Sequence, residues 1–195
     1  FYNDNDFESE YKQALALNPA YFLNIYTTTA SGYLGYTYLP SDFGEDNYMH
    51  GVVLYHYSVY HDNCWEWDWG YCFGKTAVHE VGHYLGLLHT FGNFENGDYG
   101  NCSVGDEVED TPDHDGTVDT NENGHLDIFD CDDNLDTCKE LDGWDPVHNF
   151  MNYVDDNCMW EFTDGQRDRM TNMVTTYKPS LLGGLIAAQD LSFYD

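Results

Sequence analysis

Apolar residues recur along this chain with two different periods, and the changes of period divide it. From Asp6 to Leu17, Phe7, Tyr11, Ala14 and Leu15 return at helical spacing and Asn18-Pro19 stops the pattern, which predicts a packing helix. Tyr21 to Ser31 and Leu34 to Leu39 are rich in aromatic and β-branched residues on either side of Ser31-Gly32-Tyr33, which predicts two strands joined by a short turn. Ser41 to Asn47 is a polar loop, and His50 to Val59 alternates well enough for a third strand. Asp62 to Phe73 is an aromatic loop, expected to cover the core, although its tryptophans could also line a cleft. Gly74-Lys75-Thr76-Ala77-Val78 then runs into a second helix. After His89 the periodicity disappears for about fifty acidic residues, and loops that long usually carry a function or a ligand. Thr163-Asp164-Gly165-Gln166 is a capping box opening a last helix, with Met170, Met173, Val174 and Tyr177 as its inner face and Pro179 beyond its end.

The second helix carries the chemistry. His79-Glu80-Val81-Gly82-His83-Tyr84-Leu85-Gly86-Leu87-Leu88-His89 has the pattern HExxHxxGxxH. Residues advance by about 100° on a helix, so His79 and His83 project from one face a turn apart and can hold one ion. Glu80 points about 100° away from His79 and is placed to reach a water beside that ion as a general base. Gly86 lies where the helix must stop and the chain swing back, a bend that a residue free to take positive φ permits, and this brings His89 round as a third ligand. Three neutral imidazoles with a fourth position open to water make a catalytic rather than a structural zinc arrangement.

At 195 residues the chain suits one domain, 1–195, and no apolar run approaches the ~20 residues that span a bilayer. Phe1 is expected to be a mature or cut terminus, with any signal or pro-segment absent from this sequence. Thirty-six acidic against six basic residues give a net charge of −30, which argues against nucleic acid or an anionic membrane as partner. Bound divalent cations would relieve that self-repulsion, and a solvated acidic surface accounts for many of the carboxylates. Six cysteines, none in a CxxC zinc pattern, point to three disulfides and an oxidising compartment. Cys64 and Cys72 bracket the Trp-rich segment closely and are paired with each other. His50, His56 and His61 have no partner at ligand spacing and read as surface or core histidines.

Inside the acidic stretch, Asp119 to Asp130 places oxygen donors at loop positions 1, 3, 5, 9 and 12, with glycine at 6 and an apolar residue at 8. This is an EF-hand-type calcium loop with Asp130 in place of the usual glutamate. Asp119, Asn121, Asn123, Asp127 and Asp130 would donate side-chain oxygens and His125 its carbonyl, around the bend at Gly124. Without flanking helices a structural site is expected, not a switch.

The zinc motif and the later Asn149-Phe150-Met151-Asn152-Tyr153 resemble the metzincin zinc peptidases. Met151 looks like their Met-turn methionine, a floor beneath the metal, although core filling alone would also explain a methionine there. More closely, the run into the zinc helix, Gly105-Asp106-Glu107-Val108-Glu109-Asp110-Thr111-Pro112, Asp145-Pro146-Val147-His148 and Asp155-Asp156-Asn157-Cys158-Met159 resemble the pappalysin family in their order. That resemblance implies an α/β (α+β) domain: a twisted, mainly parallel sheet with the zinc helix, about residues 1–89, over an irregular lower half, about 90–178, stapled by disulfides and calcium, then a tail, 179–195. It implies Tyr153 as a hydrogen-bond donor to the reacting carbonyl, disulfides Cys102–Cys138 and Cys131–Cys158, and a second calcium at Asp106 and Thr111. Closing disulfide loops of these lengths is worth roughly 3 to 4 kcal/mol each.

The expected function is a secreted, monomeric, zinc- and calcium-dependent endopeptidase acting on proteins or peptides. Asp155 and Asp156 stand where the family builds the pocket for the residue after the cut, which gives an expected preference for Arg or Lys there. The alternative is a calcium-dependent adhesion or binding module that retains a zinc site without turnover.

Overall fold

The computed structural model describes residues 4–60, 70–92, 102–119 and 124–183. Helix α1 spans Asp4–Leu15, and strands β1 (Ile25–Thr28), β2 (Gly35–Tyr36) and β3 (Val52–Tyr55) form one mixed sheet in the order β1-β3-β2. β1 runs parallel to β3, Ile25 opposite Val52, and β2 runs antiparallel to it, Gly35 opposite Leu54. A short helix α2 (His56–Val59) precedes α3 (Lys75–Tyr84), and α4 (Asp164–Tyr177) closes the lower half. No helix among the described residues is long and apolar enough to cross a membrane.

Several expected elements take different partners or faces. The predicted first two strands do not pair with each other, because the apolar run Val52-Val53-Leu54 is buried on both faces and takes the centre between them. His56 to Val59 winds into α2 instead of extending that strand, so the exposed edge at the cavity belongs to β2. In α1 the inward face is not Phe7 and Leu15, which are 41% and 63% exposed, but Glu8 and the fully buried Lys12. The Lys12 ammonium is 2.7 Å from Glu8, donates to the Met49 and Gly51 carbonyls, and lies over the rings of Tyr26, Tyr36 and Tyr38. A cation in an aromatic cage with oxygen acceptors satisfies each of its donors, and so out-competes the apolar stripe for the interior. In α4, Val174 is buried as expected but Tyr177 is exposed, and Gln166 fills the interior.

One face of β3 packs on α3 through Val52, Leu54 and Tyr84, with Ala77, Val81 and Leu85 around them. A second cluster of Val154, Cys158 and Met159 lies under Phe150 in the lower half. There Cys102–Cys138 and Cys131–Cys158 are both formed, and Cys72 is disulfide-bonded. Cys64, its expected partner, lies outside the described residues, as do His61 and most of the Trp-rich loop. The capping box is present: the Thr163 hydroxyl accepts from Gln166 N–H, and Thr163 N–H donates to Gln166 Oε1.

Candidate active site

Helix α3 begins on a carboxylate supplied from far along the chain. Asp156 Oδ2 accepts from Phe73 N–H at 2.7 Å and Lys75 N–H at 3.3 Å, satisfying donors at the helix start. Asp156 is buried, and burial raises its carboxyl pKa against these hydrogen bonds and the nearby Lys75 charge. The helix ends as its sequence demands. Gly86 takes φ +102°, Leu87 N–H returns to the Gly82 carbonyl at 3.0 Å, and the chain doubles back to His89. Arg169 of α4 fixes this turn, donating from Nε to the Gly86 carbonyl at 2.8 Å and from its guanidinium to Glu107.

The three histidines meet. His83 Nε2 lies 3.1 Å from His79 Nε2 and 3.0 Å from His89 Nε2. His79 Nδ1 is 2.7 Å from the Phe150 carbonyl and His83 Nδ1 is 2.8 Å from the Leu87 carbonyl, which places the ring proton on Nδ1 and leaves Nε2 a lone pair. Desolvation pushes His79 down to about 3 and His83 to about 4, and lowers His89 well below the ordinary value. Three neutral nitrogens with lone pairs aimed at one point repel unless a cation lies among them. The donor set therefore fits a zinc ion, and it is the one such group of His, Cys, Asp or Glu among the described residues.

Glu80 faces the same cavity, buried, with Oε2 making no hydrogen bond, and desolvation raises its carboxyl to about 8. The β2 edge lies against it at Gly35, where a Cβ would come 2.7 Å from Glu80 Cγ. The cavity, about 590 Å³, runs between β2 and the segment from Asn152 to Met159, with Tyr71, Thr76 and Phe129 in its wall. Tyr153 lines it, with ring centroids 4.7 Å from His89 and 5.9 Å from His79. Met151, fully buried, packs directly under Gly82 of α3. Asn149 exchanges hydrogen bonds with Gln166, whose Nε2 also donates to Asp106, so the turn holding Met151 is tied to α4.

The peptidase M43 family model, described as pregnancy-associated plasma protein-A, matches residues 8–175. This chain belongs to that family. An extracellular metalloprotease of Colletotrichum graminicola is 38% identical over 172 residues, 87% of this chain and 55% of that protein. One from Pyricularia oryzae is 34% identical over 88% of this chain and 54% of its own length. Among solved structures, mature mirolysin of Tannerella forsythia in complex with a cleaved peptide superposes with a TM-score of 0.71 at 29% identity, covering 93% of this chain and 64% of that one. A promirolysin mutant gives 0.73 at 28% identity, covering 97% and 58%. The chain thus spans about half the length of the curated relatives it matches. The fold is that of the metzincin mirolysin, and the metalloprotease family implies zinc at the histidine cluster.

The peptidase M43 chain brings some expected residues together and leaves others apart. Asp156 lines the cavity with Oδ1 buried and without a hydrogen bond, whereas Asp155 is exposed and is not in the lining. In the calcium-type loop, Asp119 Oδ2 accepts from Gly124 N–H at 2.8 Å, Gly124 takes φ +89°, and Asp127 is buried. His125 is exposed and Asp130 half-buried, while Asn121 and Asn123 lie outside the described residues. Asp106 and Thr111 are both buried. Burial pushes the Asp106 carboxyl up to about 6, against hydrogen bonds from Val108 N–H and Gln166 Nε2. Sequence reasoning missed Gly35, Arg169 and Phe129. A lone glycine inside a strand pattern is the signal that could have flagged Gly35, since it marks close backbone approach. Nothing local distinguished the other two.

Proposed function

We propose that the chain is a secreted zinc endopeptidase. The observation that carries this reading is the convergence of three imidazole Nε2 atoms and the unpartnered Glu80 carboxylate on one cavity bordered by a strand edge. The disulfides and the extracellular naming of the relatives support secretion.

His79, His83 and His89 would hold the zinc ion, which when bound would supply Lewis acidity toward water and a peptide carbonyl. Glu80 takes the proton from the attacking water and delivers it to the leaving amine, a role that suits a carboxylate with one oxygen uncommitted and buried beside the reacting centre. Tyr153 donates its phenol hydrogen to the oxyanion that develops on the scissile carbonyl. The β2 edge accepts the peptide by main-chain pairing, as an exposed edge favours. Met151 and the Asn149–Gln166 pair position the histidines from below. Asp156 Oδ1 receives an Arg or Lys side chain after the cut, a partner for a buried carboxylate oxygen that has none. The Asp119–Asp130 loop would hold a calcium ion, a reading the Asp119–Gly124 bend supports, and Asp106 and Thr111 would contribute to a second.

Casein hydrolysis by the purified chain tests this: activity should vanish on zinc chelation and return on adding zinc. A zinc-replete, folded protein that cuts neither casein nor a peptide library would refute it.

A further inference from the structure

Phe129 occupies a position that core packing does not explain. It ends the short turn Asp127–Phe129, whose other members, Asp127 and Ile128, are 1% and 0% exposed. Just beyond it, Cys131 is bonded to Cys158. The segment is therefore anchored on both sides, yet the Phe129 ring is 41% exposed and stands in the wall of the catalytic cavity. It stacks on Tyr153, centroid 6.0 Å away and 20° from parallel, and Tyr153 in turn packs against His89. Met159 and Tyr71 line the same cavity. An aromatic ring left in water forgoes the free energy of burying it. Here fixed neighbours hold such a ring beside the reacting groups, an arrangement that burial of a ligand side chain would make favourable.

Given the peptidase reading above, we propose that Phe129 is a specificity-determining residue that receives a large apolar or aromatic substrate side chain at one position flanking the scissile bond. The anchored turn fixes the ring before substrate arrives, so little conformational freedom is lost on contact. Phe129 takes no part in proton transfer. Its effect falls chiefly on substrate affinity and choice, and is larger for a substrate that carries that side chain than for one that lacks it.

The test uses the purified, zinc-loaded protein and peptide pairs that differ only by Phe or Gly, placed in turn on each side of the scissile bond. Wild type is expected to favour Phe at one of the two positions by about tenfold or more in kcat/KM, the scale set by aromatic contact plus apolar burial. Phe129→Ala should reduce that preference to about twofold or less, with the loss on the Phe peptide carried by KM and several-fold larger than any loss on the Gly peptide. Phe129→Asp should transfer the preference at that position to Lys, a change that loss of a structural prop would not produce. Zinc stoichiometry and Tm, measured on both variants, establish that they are folded. A preference that survives in both variants, or an equal loss on Phe and Gly peptides with no gain for Lys, would overturn the assignment. A wild type that cuts no peptide at all overturns the peptidase reading, and this role with it, and is distinguished by the absence of any measurable kcat.

Discussion

A Cβ at Gly35 would lie 2.7 Å from Glu80 Cγ, so the cavity-side strand rests directly on the side chain of Glu80, the proposed general base. Backbone and carboxylate meet there because the strand residue has no side chain. Gly35→Ala forces either β2 or Glu80 to move by more than a few tenths of an ångström. Misplacing a reacting group by such distances costs up to about 10²-fold in rate. We expect kcat for casein-derived peptides to fall at least tenfold, by that same logic, with zinc content unchanged. Zinc analysis beside steady-state kinetics checks it; unaltered kcat would show that the contact does not constrain Glu80.

Lys12 and Glu8 form a buried pair 2.7 Å apart at the join between α1 and the sheet. Lys12→Ala leaves the Glu8 carboxylate buried without its counter-charge, a change that typically costs about 3 to 5 kcal/mol. Glu8→Leu combined with Lys12→Met removes both charges and should recover most of the loss. Urea unfolding of the wild type, the single variant and the double variant measures the difference. A double variant no more stable than Lys12→Ala would show that the cage around the ammonium, not charge pairing, matters most.

Burial sets the pH window of the site. In the metal-free protein His79 is held down to about 3 and His83 to about 4, chiefly by desolvation. Unfolded histidines titrate near ~6.5. Below that pH the unfolded chain binds protons that the folded rings refuse. Their contribution to stability is therefore whole above about 6.5 and is lost as pH falls toward about 4. Zinc and protons compete for the same lone pairs, so zinc and activity should leave together in that window. Glu80 acts with the opposite sign in the metal-free state. Its carboxyl is raised from 4.5 to about 8 by burial, so folding is increasingly disfavoured as pH rises between those two values, a penalty a bound cation offsets. Zinc content and casein hydrolysis measured from pH 8 to 4, in ~0.5-unit steps, test this; activity lost with zinc fully retained would contradict it.

The Asp119–Asp130 loop predicts a calcium-dependent Tm. Ligand at about 1,000 times its Kd stabilises a fold by about 4 kcal/mol. Zinc-loaded wild type should melt several degrees higher with calcium than with a calcium-selective chelator. Asp127→Asn should lose most of that shift, because a buried carboxylate is removed from the loop. An equal shift in the variant would move the ion to Asp106 and Thr111.

The convergence of the three histidines was legible because helical geometry alone fixes the relation of His79 to His83, and Gly86 announces the return to His89. The Thr163 capping box and the breaks at Asn18-Pro19 and Gly74 were equally local. Partner choice across the chain was not. Nothing near Val52-Val53-Leu54 says that it takes the centre of the sheet; only burial on both faces decides that. Helical periodicity in α1 pointed to Phe7 and Leu15, yet a cage of tyrosines from distant strands drew Lys12 inward instead. Asp156 looked like a pocket residue in sequence. Its bonds to Phe73 and Lys75 N–H depend on a long-range contact that no spacing encodes. Phe129 reaches the cavity only because the Cys131–Cys158 link and the buried Ile128 fix the turn that carries it.

The central claim, that Glu80 performs proton transfer at a zinc centre, is tested most directly by casein hydrolysis with wild type and Glu80→Ala, both folded and loaded with zinc. We predict loss of hydrolysis in Glu80→Ala by several orders of magnitude, with zinc content and Tm close to wild type. Hydrolysis at the wild-type rate by the zinc-loaded variant would contradict the account.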